Sequence, residues 1–247
     1  MDWTDRGIVL SARKHGENAV ILALLTEAHG RHLGLVRGGA GRRARGLYQP
    51  GNLLEAAWRA RIEDHLGSYS CELVRANAAT VLDDPLRLAG LSALVAVIEA
   101  ALPEREAHPS LYARVVDLID HLGAADWLEH YVYFELALLR ELGFGLDLSA
   151  CAATGRNDQL VYVSPRTGRA VSASAGEPYQ DKLLPLPAFL TADRSAAPAE
   201  IVAGLALTGY FLERTLFTHP SPGRSGAPPA ARTRFVDRLR QTALSRA

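Results

Sequence analysis

Cysteine and lysine are almost missing from this 247-residue chain. Cys71 and Cys151 are its only thiols, which excludes a disulfide framework and points to a reducing, cytoplasmic compartment. Lys14 and Lys182 are its only lysines, so arginine carries nearly all of the positive charge. No apolar run is long enough to span a bilayer. The first residues also lack the charged, apolar and small regions of a secretory leader, so no membrane association is expected.

Common catalytic signatures are missing too. Residues 41–46 have the glycine spacing of a phosphate-binding loop, but Leu47 and Tyr48 stand where lysine and a hydroxyl residue would have to follow. There is no G-x-S-x-G elbow and no G-x-G-x-x-G turn after a strand. His15-Gly16-Glu17 has the H-x-E outline of zinc deaminases without their P-C-x-x-C pair. His29, His32, His65, His108, His121, His130 and His219 show no H-x-x-x-H spacing. Asp83 and Asp84 come nearest to a carboxylate cluster, yet before Pro85 they read as a helix cap. Cys151-Ala152-Ala153-Thr154-Gly155 outlines a zinc knuckle, but one thiolate cannot hold a structural zinc ion. No catalytic residue, no cofactor and no metal is therefore expected, and the chain does not read as an enzyme.

What is present is segregated charge. The formal net charge is zero, yet residues 1–80 hold eleven Arg/Lys against eight Asp/Glu, and residues 224–247 hold six arginines against Asp237. The stretch between them is acidic, so two basic ends suggest a shared polyanionic partner. The densest part, residues 31–46, contains Arg31, Arg37, Arg42, Arg43 and Arg45 with no acid, loosened by Gly34, Gly38, Gly39, Gly41 and Gly46. A guanidinium offers a flat bidentate fork to a phosphate, and glycine lets the backbone approach one closely.

Hydrophobic periodicity divides the chain. Strands are predicted over residues 7–13, 19–25, 31–37, 53–61 and 68–74, the second buried on both faces and Leu54, Ala56 and Trp58 sharing one phase of the fourth. Five short strands without a strong helix between them fit a closed barrel of the oligonucleotide/oligosaccharide-binding (OB) type. Helices are predicted over residues 86–102, 109–122, 127–142, 198–217 and 229–244, with Asp126 capping the third and 218–229 as a linker. The expected fold is α+β: an OB-type nucleic-acid-binding domain over residues 1–80, then an α-helical domain over 81–247. A degenerate zinc-knuckle-like insert interrupts the helices at about 144–180.

On the barrel, the candidate phosphate-binding groups are Arg13, Lys14, Arg31, Arg37, Arg42, Arg43, Arg45, Arg59 and Arg61. Tyr48 is the preferred stacking group, because it adjoins the basic loop; Trp58 reads as core. Arg232, Arg234, Arg238 and Arg240 form a second basic run, with Arg234 and Arg238 on one helix face. Such a barrel would serve equally well as an RNA-binding module, since nothing in the sequence reads a 2′-hydroxyl.

The N-terminal line resembles the opening of the bacterial RecO family of recombination mediators. The match is carried by Arg13, Gly16, Glu17, Leu24, Leu25, Thr26, Gly30, Gly34, Leu35, Val36, Arg37 and Gly38. Residues 135–155, ELALLRELGFGLDLSACAATG, resemble that family's helix leading into C-x-x-C-G, and residues 162–172 resemble the approach to its second cysteine pair. The resemblance implies an OB domain, a helical domain and a zinc-finger-like insert. It further implies binding of single- and double-stranded DNA, annealing of complementary strands, and binding of the C-terminal tail of single-stranded DNA-binding protein. With RecR, family members help to load RecA. Arg114, Arg140 and Arg214 are candidates for contacting that acidic tail. At the knuckle this chain departs from the family: three of the four metal positions are Thr154, Ser172 and Ala175.

Overall fold

A computed structural model describes residues 1–192, 194–218 and 227–244, without the side chains of Arg43, Ala243 and Leu244. Five strands, β1 (Asp2–His15), β2 (Ala19–Thr26), β3 (Gly30–Val36), β4 (Leu53–Arg59) and β5 (Ser68–Arg75), close into a barrel in the order β1-β2-β3-β5-β4. Strand β1 is long enough to serve two neighbours. Residues 2–8 pair with β4 and residues 7–15 with β2, and an irregularity between Val9 and Ser11 re-aims the strand.

Side-chain alternation fills the barrel. Val9, Val20, Leu22, Leu24, Val36, Leu54, Ala56, Trp58 and Tyr69 form one buried cluster, as period-two strands require. Trp58 is core, as its phase predicts, and its Nε1 donates to the Leu66 carbonyl at 3.0 Å. Its ring lies so close to Gly67 that a Cβ there would come within 2.3 Å of Nε1, at a φ of +64° that side chains avoid. On β2 the double burial expected for the whole strand holds only from Leu22 onward. Ala19 and Ile21 remain partly open on the outer face.

The barrel closes where β3 and β5 run parallel at Leu35 and Ser68. The chain after the first long helix extends this seam. Glu104 bridges Arg31, and the Arg105 N–H donates to the Arg31 carbonyl at 2.8 Å. Arg105 has a left-handed φ of 62°, and its side chain donates to the His65 carbonyl at 2.8 Å.

The glycine-rich segment after β3 is not the open loop its composition predicts. It forms a short helix, α1 (Arg42–Leu47), entered from an extended Gly41. Arginine and alanine are good helix formers, and Ala44 and Leu47, three apart, pack against the barrel core.

Helices α2 (Pro85–Ala101), α3 (Pro109–His121), α4 (Trp127–Glu141), α6 (Pro198–Thr215) and α7 (Ala230–Leu244) lie within two residues of their predicted ends. The Asp84 carboxylate caps α2 by accepting from the N–H groups of Leu86 and Arg87 at 3.0 and 3.1 Å. Asp126 heads α4 without a side-chain cap; its carboxylate instead faces His130 at 3.5 Å. Between α4 and α6 lie the three-stranded sheet β7-β6-β8, from β6 (Leu160–Val163), β7 (Ala170–Ser172) and β8 (Leu184–Pro185), and the short α5 (Ala173–Gly176).

Two compact units result: Met1–Gly123 with Pro229–Phe235, and Ala124–Pro228 with Val236–Ala247. The first joins α2 and α3 to the barrel. In the second, the single glutamate in the apolar stripe of α4, Glu135, is fully buried and accepts from Thr208 Oγ1 at 2.5 Å. Among the described residues no helix is long and apolar enough to cross a membrane.

Candidate nucleic-acid interface

Strand register decides which basic residues meet. Arg13 pairs with Ile21, which pairs with Leu35, which meets Ser68, which pairs with Arg59. This row crosses the outer β2–β3 surface with an arginine at each end. Lys14 lies one step on from Arg13, opposite Val20, and Val20 pairs with Val36. Arg37 therefore emerges at the same barrel end as Lys14. The Ala40 N–H donates to the Asn18 carbonyl at 3.2 Å, tying the β1–β2 turn to the segment that launches α1. Lys14 and Arg45 consequently line one groove of about 600 Å³, with Glu17 as its acid.

Lys14, Arg37, Arg42, Arg45, Arg59 and Arg61 are exposed, and their side chains have no ion pair with a described residue. On the β4–β5 wall, Glu55 and Glu72 are exposed and directly paired, and exposed Arg6 of β1 stands opposite Glu55.

Three expected groups are placed otherwise. Arg31 is a seam residue. Its Nε donates to the Leu102 carbonyl at 2.8 Å, its Nη2 lies 3.3 Å from Glu104, and its side chain is only 15% exposed. Tyr48 is mostly enclosed: it is 8% exposed within the barrel cluster, where its edge lines the groove of Lys14 and Arg45, and burial pushes its phenol up to about 12. It follows α1 and turns inward because that helix packs Ala44 and Leu47 on the core. Arg13 is exposed but occupied, since its Nη2 donates to Glu99 of α2 at 2.7 Å. The side chain of Arg43 lies outside the described part.

On α7, Arg234, Arg238 and Arg240 are exposed, and Arg240 pairs with Asp237 at 3.7 Å. Arg232 is buried, because it falls on the stripe formed with Phe235, Val236 and Leu239. Most of the expected linker, residues 219–226, lies outside the described residues.

Arg114 and Arg140 are exposed on α3 and α4. Arg214 lines two grooves, of about 260 and 520 Å³. The smaller adds Arg166, Thr167, Thr215 and the half-exposed Phe144; the larger adds Tyr210, Phe217 and the acid Glu213. Tyr210 Oη accepts from Arg214 at 3.1 Å.

Two clusters were not evident from sequence. His32 is buried beside Trp58 and Trp3, with Tyr69 Oη 3.1 Å from its Nδ1. Burial first, and then the Arg105 charge, lower its pKa to about 4. In the insert, the Cys151 thiol is buried, donates to Ser172 Oγ at 3.4 Å and accepts from the Ser172 N–H at 3.3 Å. Burial raises its pKa, but hydrogen bonds from Ser172 and Thr154 outweigh this and bring it down to about 6. This donor set does not fit zinc: one sulfur, two neutral hydroxyls and the methyl of Ala175 cannot complete a tetrahedral thiolate or imidazole shell.

Residues 1–77 match the family model described as recombination protein O N terminal, and residues 82–222 match recombination protein O C terminal. Similar proteins include the DNA repair protein RecO of Rhodospirillum centenum, 56% identical over 98% of this chain and 96% of that protein. The DNA repair protein RecO of Jannaschia sp. is 49% identical over 99% of this chain and 98% of its own length. That of Methylobacterium nodulans is 50% identical, covering 96% of this chain and 97% of its own length. Both family models match in order around the barrel and the helices, so the chain belongs to the RecO family.

Proposed function

We propose that the chain acts in DNA repair and recombination as a non-catalytic, DNA-binding mediator. Its relatives carry the name DNA repair protein, and the observation that supports the binding mode is that Lys14, Arg37, Arg42 and Arg45 are exposed at one barrel end without an ion pair to a described residue. The strand order 1-2-3-5-4 supports reading the barrel as OB-type, with the partly open outer surface at Ile21 and Leu35, beside the Lys14–Arg37 end, as the track for a nucleic-acid strand. Residues 1–80 are then the nucleic-acid-binding domain, and residues 81–247 the helical domain.

Lys14, Arg37, Arg42, Arg43, Arg45, Arg59 and Arg61 neutralise phosphates and release counterions, so affinity falls steeply with salt. Two complementary strands repel each other until that charge is screened. A protein holding one strand on the barrel and meeting a second with Arg234 and Arg238 lowers the repulsion, and base pairing completes the annealing. The Arg214 groove, with Arg166 and Phe144, suits the acidic, aromatic-ended tail of single-stranded DNA-binding protein. RecR and RecA then act on the exposed strand.

The test is fluorescence annealing of complementary oligonucleotides with Arg42, Arg43 and Arg45 replaced by alanine. Annealing is expected to slow about tenfold or more at moderate salt, from three lost phosphate contacts. Undiminished annealing contradicts the role of α1. Stronger competition by matched RNA than by DNA strands redirects the reading to an RNA-binding module.

A further inference from the structure

We propose that the insert of this chain is a metal-free knuckle, in which hydrogen bonds converging on the Cys151 sulfur join the two turns that zinc joins in the four-cysteine pattern. The first turn is closed by the Gly155 N–H donating to the Cys151 carbonyl at 2.8 Å, and the Cys151 N–H donating to Arg156 at 2.7 Å. The second arrives at the end of β7, where Ser172 pairs with Leu160 across the sheet. The Ala152 N–H donates to the Ala170 carbonyl at 2.8 Å and locks one turn to the other.

Four positions define the knuckle, and two of them, Cys151 and Ser172, meet through hydrogen bonds. The Ser172 N–H donates to the sulfur at 3.3 Å, and the Cys151 thiol donates to Ser172 Oγ at 3.4 Å; Thr154, the other position of the first turn, is exposed. The fourth, Ala175, contributes no donor atom. In a zinc knuckle, backbone N–H groups also point at sulfur, but the metal supplies the bond between the turns and its binding energy becomes folding energy. Here the Cys151–Ser172 pair is buried, with Cys151 fully enclosed and Ser172 5% exposed, so its hydrogen bonds hold the same turns without water competition. Ser172 is therefore the replacement partner for the sulfur, and the insert keeps its fold without the ion.

The test uses the full chain and is independent of DNA binding. Protein incubated with zinc and desalted is assayed by inductively coupled plasma mass spectrometry, and thermal unfolding is followed with and without chelator. The expected results are far less than one zinc per chain and superimposable unfolding curves. Cys151→Ala is expected to raise hydrogen exchange across residues 151–172, and Cys151→Ser to restore part of the protection. The variant Thr154→Cys, Ser172→Cys, Ala175→Cys is expected to bind one zinc per chain and to become sensitive to chelator. Stoichiometric zinc in the unsubstituted chain, or chelator-induced exchange in its insert, overturns the proposal. So does a folded triple variant that takes up no zinc, because it shows that the four positions do not converge.

Discussion

Arg13 and Glu99 are joined at 2.7 Å, and the same Glu99 oxygen also accepts from Ser11 Oγ at 2.7 Å. An acid on α2 thus holds a cation of the proposed phosphate-binding set, while the Arg13 side chain stays 73% exposed. Phosphate must compete with Glu99. Glu99→Gln keeps an acceptor for Ser11 but releases the charge, and is expected to tighten binding of a single strand about two- to five-fold, the scale of an exposed ion pair. Fluorescence anisotropy at fixed salt measures this; unchanged or weaker binding shows that Arg13 plays no part.

Arg31 and Arg105 serve the barrel seam rather than the ligand. Arg105→Ala removes the hydrogen bond to His65 and is expected to cost about 1–3 kcal/mol of stability, as for a charged donor. Arg31→Ala should likewise lower the urea midpoint while leaving the salt dependence of DNA binding unchanged. A lower salt slope for Arg31→Ala would return it to the phosphate-binding set.

Tyr48 separates packing from stacking. Tyr48→Phe is expected to leave DNA affinity within about twofold, because a buried ring has no base to stack on. Tyr48→Ala opens a cavity in the barrel and should cost about 3–5 kcal/mol in denaturant unfolding. Loss of affinity in a stable Tyr48→Phe variant contradicts this placement.

His32 makes the first compact unit sensitive to acid. Its folded pKa of about 4 lies below the ordinary value of 6.5, so the unfolded chain takes up a proton first as pH falls. Stability present above pH 6.5 is therefore lost progressively toward pH 4, by an amount on the order of 3 kcal/mol at most. Urea unfolding followed by tryptophan fluorescence across this range checks it. His32→Gln is expected to flatten the slope; an equal slope in the variant assigns it to other groups.

Much of the barrel was legible because its core obeys one local rule. Leu54, Ala56 and Trp58 alternate, and all three are buried. Asp84 and Pro85 announced α2 through the chemistry of a helix start. The misread residues depend on partners far away in sequence. Arg31 finds Glu104 across 73 positions, and no local pattern marks that pairing. Tyr48 has no periodic neighbours, so its adjacency to arginines outweighed its tendency to bury. The glycines around residues 42–45 masked a helix-forming run that packs on the core. Arg232 is different, because its spacing to Phe235, Val236 and Leu239 puts it on the apolar stripe of α7 by a purely local pattern. The residues that remain well placed for phosphate lie at or just beyond strand ends, as Lys14, Arg37, Arg59 and Arg61 do, or on the exposed side of α1, where no core layer reaches them.

The most direct measurement is the salt dependence of single-strand binding, comparing the unsubstituted chain with a variant carrying Lys14→Ala, Arg37→Ala and Arg45→Ala. For single strands each lost phosphate contact lowers the slope of log K against log salt by about 0.7, so three contacts predict a slope shallower by roughly 2. Equal slopes and equal affinities in a folded variant would show that this end of the barrel does not hold the nucleic-acid backbone.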